Sequence, residues 1–246
     1  MADERNKAAP TRTDSGKEPA AASARPEIEA FIKRARTLGA ALEPGTRGRL
    51  IFALDATMSR QPTWDSACKL QSEMFREVAS IGGLDVQLVY FRGLGECGAS
   101  KWVSDGERLA SLMSRISCRG GHTQIGKVLA HASRETEKTK VQALVYVGDA
   151  MEEAIDDLAA AAGRLGLIGV PAFMFQEGHD PVAERAFREI ARLTRGAYCR
   201  FDTASAHELG ELLRAAAVYA AGGVKALANL SARRNPGAQK LLAQMR

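Results

Sequence analysis

The sequence predicts an α/β fold: a doubly wound, mainly parallel central sheet with one antiparallel edge strand, flanked by helices. Three observations carry this expectation. Near-continuous apolar runs, Leu50-Ile51-Phe52-Ala53-Leu54 and Val141–Val147 foremost, read as strands covered on both faces. Segments with helical periodicity alternate with them along the chain. The 246 residues, 46% hydrophobic and 26% charged, are enough to bury such a core without a disulfide or metal staple.

Taken in order, residues 1–26 are rich in Ala, Pro, Ser and Thr and read as a disordered leader. A short amphipathic helix follows, with Ile28, Phe31, Ile32, Ala35 and Leu38 on one stripe, and Glu43-Pro44-Gly45-Thr46 ends it as a linker. The first buried strand is Leu50–Leu54. A helix over 63–81 aligns Trp64, Cys68, Phe75 and Val78, with Pro62 suited to its first turn. Leu84–Phe91 alternates as a strand, and Lys101-Trp102-Val103 reads as its short returning partner beyond Gly93, Gly95 and Gly98. Helices are then expected over 105–117 and 124–136, a strand over 141–147 and an Ala-rich helix over 151–165. A strand over 170–175, a helix over 181–194, a strand over 197–201 and a helix over 205–221 complete the domain, 47–221.

In such sheets ligands sit outside the carboxyl ends of the strands, at the point where strand order reverses. Just after the first buried strand stands Asp55-Ala56-Thr57-Met58-Ser59, a carboxylate and two hydroxyls at alternate positions. The Gly120-Gly121-His122-Thr123 loop adds a third hydroxyl, and Gly148-Asp149 ends the strand at 141–147 with a second carboxylate. Two carboxylates and three hydroxyls make an all-oxygen set suited to Mg²⁺ or Mn²⁺. Each residue also has an ordinary use: Asp caps helices, and Ser and Thr shape turns. Glu177, His179 and Asp180 follow the strand ending at Phe175 and fall on the same face, as does His122.

The set Asp55-x-Thr57-x-Ser59, Thr123 and Asp149 resembles the metal-ion-dependent adhesion site of von Willebrand factor A (VWA) domains. The similarity runs from about Leu50 to Ala221 and includes Ile190-Ala191 through Thr194-Arg195-Gly196-Ala197-Tyr198 near its end. Thr57 replaces the family's commoner Ser, and Gly121-His122 stands where many members read Gly-Gly-Thr. The resemblance implies a non-enzymatic, Rossmann-like binding module. Asp55, Thr57, Ser59, Thr123 and Asp149 would hold Mg²⁺ (or Mn²⁺), which captures an acidic residue of a partner protein. His122, Glu177, His179 and Asp180 are the candidate rim.

The same stretch of sequence also approaches the patterns of other chemistries. Gly121-x-x-x-x-Gly126-Lys127 approaches a phosphate-binding loop, but Val128 lacks the hydroxyl that holds Mg²⁺ there, and helical periodicity precedes it. A nucleotide-hydrolysing or phosphoryl-transfer enzyme on loop 121–127 is the alternative, as is a structural subunit with a vestigial metal site. An aspartyl phosphatase would want a carboxylate where Thr57 stands. Cys118 and His122 lack two further ligands for zinc.

Lys and Arg number 34 against 29 Asp and Glu, a net charge of +5. Residues 222–246 hold Lys225, Arg233, Arg234, Lys240 and Arg246 without an acid, so the excess belongs to this basic tail and residues 1–221 are neutral. Its apolar positions favour a helix docking on the domain or on a partner, over nucleic-acid binding. With no membrane-length apolar run, no signal-like leader and four scattered cysteines, the chain reads as cytoplasmic.

Overall fold

The computed structural model describes residues 47–61, 64, 83–202 and 206–245. The leader, the helix expected between 27 and 46 and, apart from Trp64, the helix expected over 63–81 lie outside the described residues. Six strands, β1 (Gly48–Asp55), β2 (Leu84–Arg92), β3 (Glu96–Ala99), β4 (Ala143–Gly148), β5 (Ala172–Glu177) and β6 (Ala197–Phe201), form one sheet. Their order is β3-β2-β1-β4-β5-β6. Every pairing is parallel except β2 with β3. The order reverses between β1 and β4, whose register sets Leu54 beside Val147. Asp55 and Gly148 therefore end adjacent strands at the switch point.

Side-chain alternation explains the two layers. Leu50, Phe52 and Leu54 of β1 join Val145, Val147, Phe173 and Phe175 in one core. Covering it are α1 (Gly106–Met113), α5 (Ala206–Ala232) and α6 (Pro236–Leu242). Ile51 and Ala53 point the other way, into a core with Leu144, Tyr146 and Met174. There they meet α2 (Ile125–Lys138), α3 (Ile155–Leu167) and α4 (Pro181–Thr194). Among the described residues no helix is long and apolar enough to cross a membrane.

Two local readings of the sequence are corrected. The strand returning from β2 is Glu96–Ala99, ahead of the expected Lys101-Trp102-Val103. Of those three, Val103 alone pairs with the sheet, through a bridge to Val86. Trp102 turns to α2 instead, where its indole N–H donates to Glu135 (2.9 Å) and the Arg49 guanidinium stacks 3.7 Å from its ring. The last helix does not stop at 221. It continues to Ala232 across a kink at Gly223, whose φ of 68° suits glycine.

Beyond that kink the chain turns back. Asn235 caps α6 by accepting from the Ala238 N–H (2.8 Å), and Ala238 and Leu241 are buried in the core. Gln244 accepts from the Tyr198 N–H (3.0 Å) and donates to its carbonyl (2.9 Å), covering part of the open edge of β6.

Candidate metal centre

β1 carries Asp55 to the top of the sheet, where the side chain is fully buried. Its Oδ1 accepts from the Thr57 N–H (2.8 Å), folding the next residues into a turn that leads to a short 3₁₀ segment, Met58–Arg60. The turn brings the Thr57 and Ser59 hydroxyls within 3.1 Å of each other. Thr57 is buried and Ser59 exposed, so the pair spans the boundary between protein and solvent.

The loop after α1 runs beside this turn. Arg119 N–H donates to the Ala56 carbonyl (3.0 Å), and Thr57 and Arg119 form an isolated parallel bridge. Gly121 must be glycine, because a Cβ there would stand 2.0 Å from the Gly93 carbonyl oxygen. That close approach seats Thr123, only 5% exposed, against the segment that follows β4. The Glu152 N–H donates to Thr123 Oγ1 (2.9 Å), while the Glu152 carboxylate accepts from the Thr123 N–H (3.0 Å).

Asp149 lies on that same segment and acts electrostatically on Asp55. Burial, opposed by the Thr57 hydrogen bonds and reinforced by Asp149, pushes the Asp55 pKa up to about 6. Asp55 Oδ2 and Asp149 Oδ1 are buried with no hydrogen-bond partner among the described residues. Buried carboxylate oxygens of this kind are costly unless something positive satisfies them. The donor set therefore fits a hard divalent cation. Among the described residues no three His, Cys, Asp or Glu side chains gather as a metal cluster. A cation here would depend on the hydroxyls as much as on the carboxylates.

Several charged residues that sequence reasoning passed over complete the site. Arg60, 1% exposed, forms a buried ion pair with Glu177 at the end of β5, and Asp149 and Asp55 both act on its charge. Glu153 accepts from the Ile125 and Gly126 N–H groups at the start of α2. The Tyr146 phenol lies 2.5 Å from where a Gly148 Cβ would be, and burial, Asp55, Glu153 and Asp149 raise its pKa. The one available signal was position, since Arg60 follows the hydroxyl motif directly and Glu152-Glu153 follow Asp149 closely.

The expected rim divides. His122 is exposed, with Nδ1 3.1 Å from Glu152 Oε2. His179 is exposed, and Asp180 caps α4 by accepting from the Ala183 N–H (2.6 Å). Glu177 is instead buried, in an ion pair with the Arg60 guanidinium.

Loop 121–127 does not offer the amides a phosphate would take. Those of Thr123, Ile125 and Gly126 already bind the carboxylates of Glu152 and Glu153, which would repel an anion. Lys127 Nζ donates to the Gly95 carbonyl (3.0 Å) and Gln124 Oε1 (2.8 Å) rather than reaching over the loop. Cys118 is buried in the core while His122 is exposed, so they do not form a zinc pair.

Solved structures with the same layered architecture share little sequence with this chain. An aerotolerance-related membrane protein from Bacteroides fragilis superposes with a TM-score of 0.55 at 18% identity, covering 69% of this chain and 98% of that one. A von Willebrand factor type A structure from Catenulispora acidiphila gives 0.54 at 18% identity, covering 70% of this chain and 43% of that one. The SpRpn10 VWA domain gives 0.55 at 12% identity, covering 67% and 95% respectively. The chain has a von Willebrand factor A fold. No protein-family model matches it, and no curated protein matches it significantly. The VWA likeness thus rests on architecture: a six-stranded sheet with one antiparallel edge and the switch point between β1 and β4.

Proposed function

We propose that this VWA-fold domain is a non-enzymatic, divalent-cation-dependent module that binds a partner protein through an acidic residue. One observation carries the reading. At the switch point, Asp55 and Asp149 stand at adjacent strand ends with two buried carboxylate oxygens that have no hydrogen-bond partner among the described residues, and the close Thr57–Ser59 hydroxyl pair follows Asp55 directly. Asp55, Thr57, Ser59, Thr123 and Asp149 would hold Mg²⁺ or Mn²⁺. When bound, the ion supplies a hard positive centre able to accept a carboxylate oxygen from the partner.

The chain's own residues do the rest. Asp55 fixes the turn that presents both hydroxyls, and Glu152 fastens Thr123. Met58, 57% exposed between the two hydroxyl residues, and the exposed His122 and His179 supply a surface for selectivity.

The test is affinity capture from the native host with and without chelator, using the wild-type chain and Asp55→Asn. The variant keeps an oxygen for the Thr57 N–H, so a loss of capture reports the charge rather than the turn. Partners retained by the wild type in Mg²⁺ and lost both in chelator and in the variant support the reading. Capture that survives both treatments overturns it and favours a structural subunit with a vestigial site.

A further inference from the structure

Among the described residues the largest fully buried side chain is a cation. Arg60 directly follows the Thr57–Ser59 turn, is 1% exposed, and pairs with Glu177, which is itself 5% exposed. Asp149 and Asp55 also act on its charge. A guanidinium stays protonated in nearly any protein environment, so a permanent positive charge lies inside this acidic group. Position supports a role beyond packing. A long aliphatic side chain would fill the same volume without the cost of burying an ion. The carboxylates that act on it come from three different strand ends: Asp55 at the end of β1, Asp149 just after β4 and Glu177 at the end of β5.

We propose that Arg60 is the resident counter-cation of the candidate metal centre. It neutralises part of the Asp55–Asp149–Glu177 charge, so the three strand ends stay assembled without a divalent ion, and it thereby weakens that ion's binding. The inference rests on the metal reading above for what enters the site, but Arg60 acts in the metal-free protein as well. A domain built this way folds independently of the metal and takes it up weakly. Arg60 is a positioning residue here, acting through the carboxylates.

Calorimetric titration with Mg²⁺ and thermal unfolding in chelator and in 10 mM Mg²⁺ test this on the full chain, as wild type, Arg60→Gln, Arg60→Lys and Glu177→Gln. Removing a buried positive charge that acts on Asp55 and Asp149 should tighten Mg²⁺ binding about tenfold in Arg60→Gln. That variant should also lose thermal stability in chelator and regain several degrees in Mg²⁺, more than the wild type gains. Arg60→Lys, which keeps the charge, should restore both properties toward wild type. Glu177→Gln, which removes the carboxylate paired with the guanidinium, should weaken Mg²⁺ binding several-fold, and it reads the same charge if Arg60→Gln fails to fold. Wild-type binding that is unchanged in Arg60→Gln, or Arg60→Lys behaving like Arg60→Gln, overturns the role of Arg60 and leaves the metal reading standing. Binding in Arg60→Gln alone supports the role and removes Mg²⁺ from the native chain. No Mg²⁺ response in any of the four overturns both.

Discussion

Asp55 illustrates how a single side chain trades stability for chemistry. Its folded pKa of about 6 lies above the ordinary 3.8 because burial disfavours the charged form. The fold therefore binds this proton more tightly than the unfolded chain does. The resulting stability is fully present below pH 4, is lost as pH rises toward 6, and above that pH the ionised group costs at most about 3 kcal/mol. Asp55→Asn should therefore raise the chemical-denaturation stability of the metal-free protein at pH 7.5 by ~1–3 kcal/mol, while abolishing the heat of Mg²⁺ binding. In the wild type, Mg²⁺ binding should weaken as pH falls through 6, because the proton competes for the same carboxylate. A variant that is less stable and still binds would make Asp55 a turn-forming residue alone. The alternating Asp55, Thr57 and Ser59 were legible in the sequence because their spacing and their place after an apolar strand set their direction. Arg60 and Glu152 were not, since a charged residue in a loop is solvated by default, and only the fold shows which of them find partners at the site.

The element that governs the site is the loop between α1 and α2. Among the contacts that hold it are the close approach of Gly121 to Gly93 and the reciprocal bonds between Thr123 and Glu152. Gly121→Ala places a Cβ 2.0 Å from a backbone carbonyl oxygen, which neither segment can tolerate without shifting. Thr123 would move with its loop, so Mg²⁺ affinity should fall about tenfold or more by calorimetry, with the sheet core retained by circular dichroism. Full affinity in that variant would show that Thr123 takes no part. At this scale the apolar runs located the strands well. The displaced hairpin has a plain cause: Trp102 finds a better partner in Glu135 and Arg49 than in the sheet, a long-range choice that alternation in a short segment does not encode.

At the scale of the whole molecule, the basic end of the chain belongs to the described fold. Lys240 pairs with Glu208, Asn235 bonds Glu211, and Leu241 is buried under the sheet. Leu241→Ala should cost ~2–4 kcal/mol of stability, measured by chemical denaturation. Gln244→Ala should cost ~1 kcal/mol by freeing the Tyr198 backbone at the sheet edge. An unchanged denaturation midpoint in Leu241→Ala would show that the docked helix adds nothing. The sequence already showed apolar positions in this segment, yet Gly222-Gly223 read as an end because a kinked continuation and a true stop share the same glycine signal.

The measurement on which the reading turns is calorimetric titration of the purified chain with Mg²⁺ at pH 7.5, beside Asp55→Asn and Asp149→Asn. The expected result is a saturable, single-site heat in the wild type that vanishes in both variants. No heat in the wild type, or equal heat in all three proteins, would contradict a metal centre at this switch point.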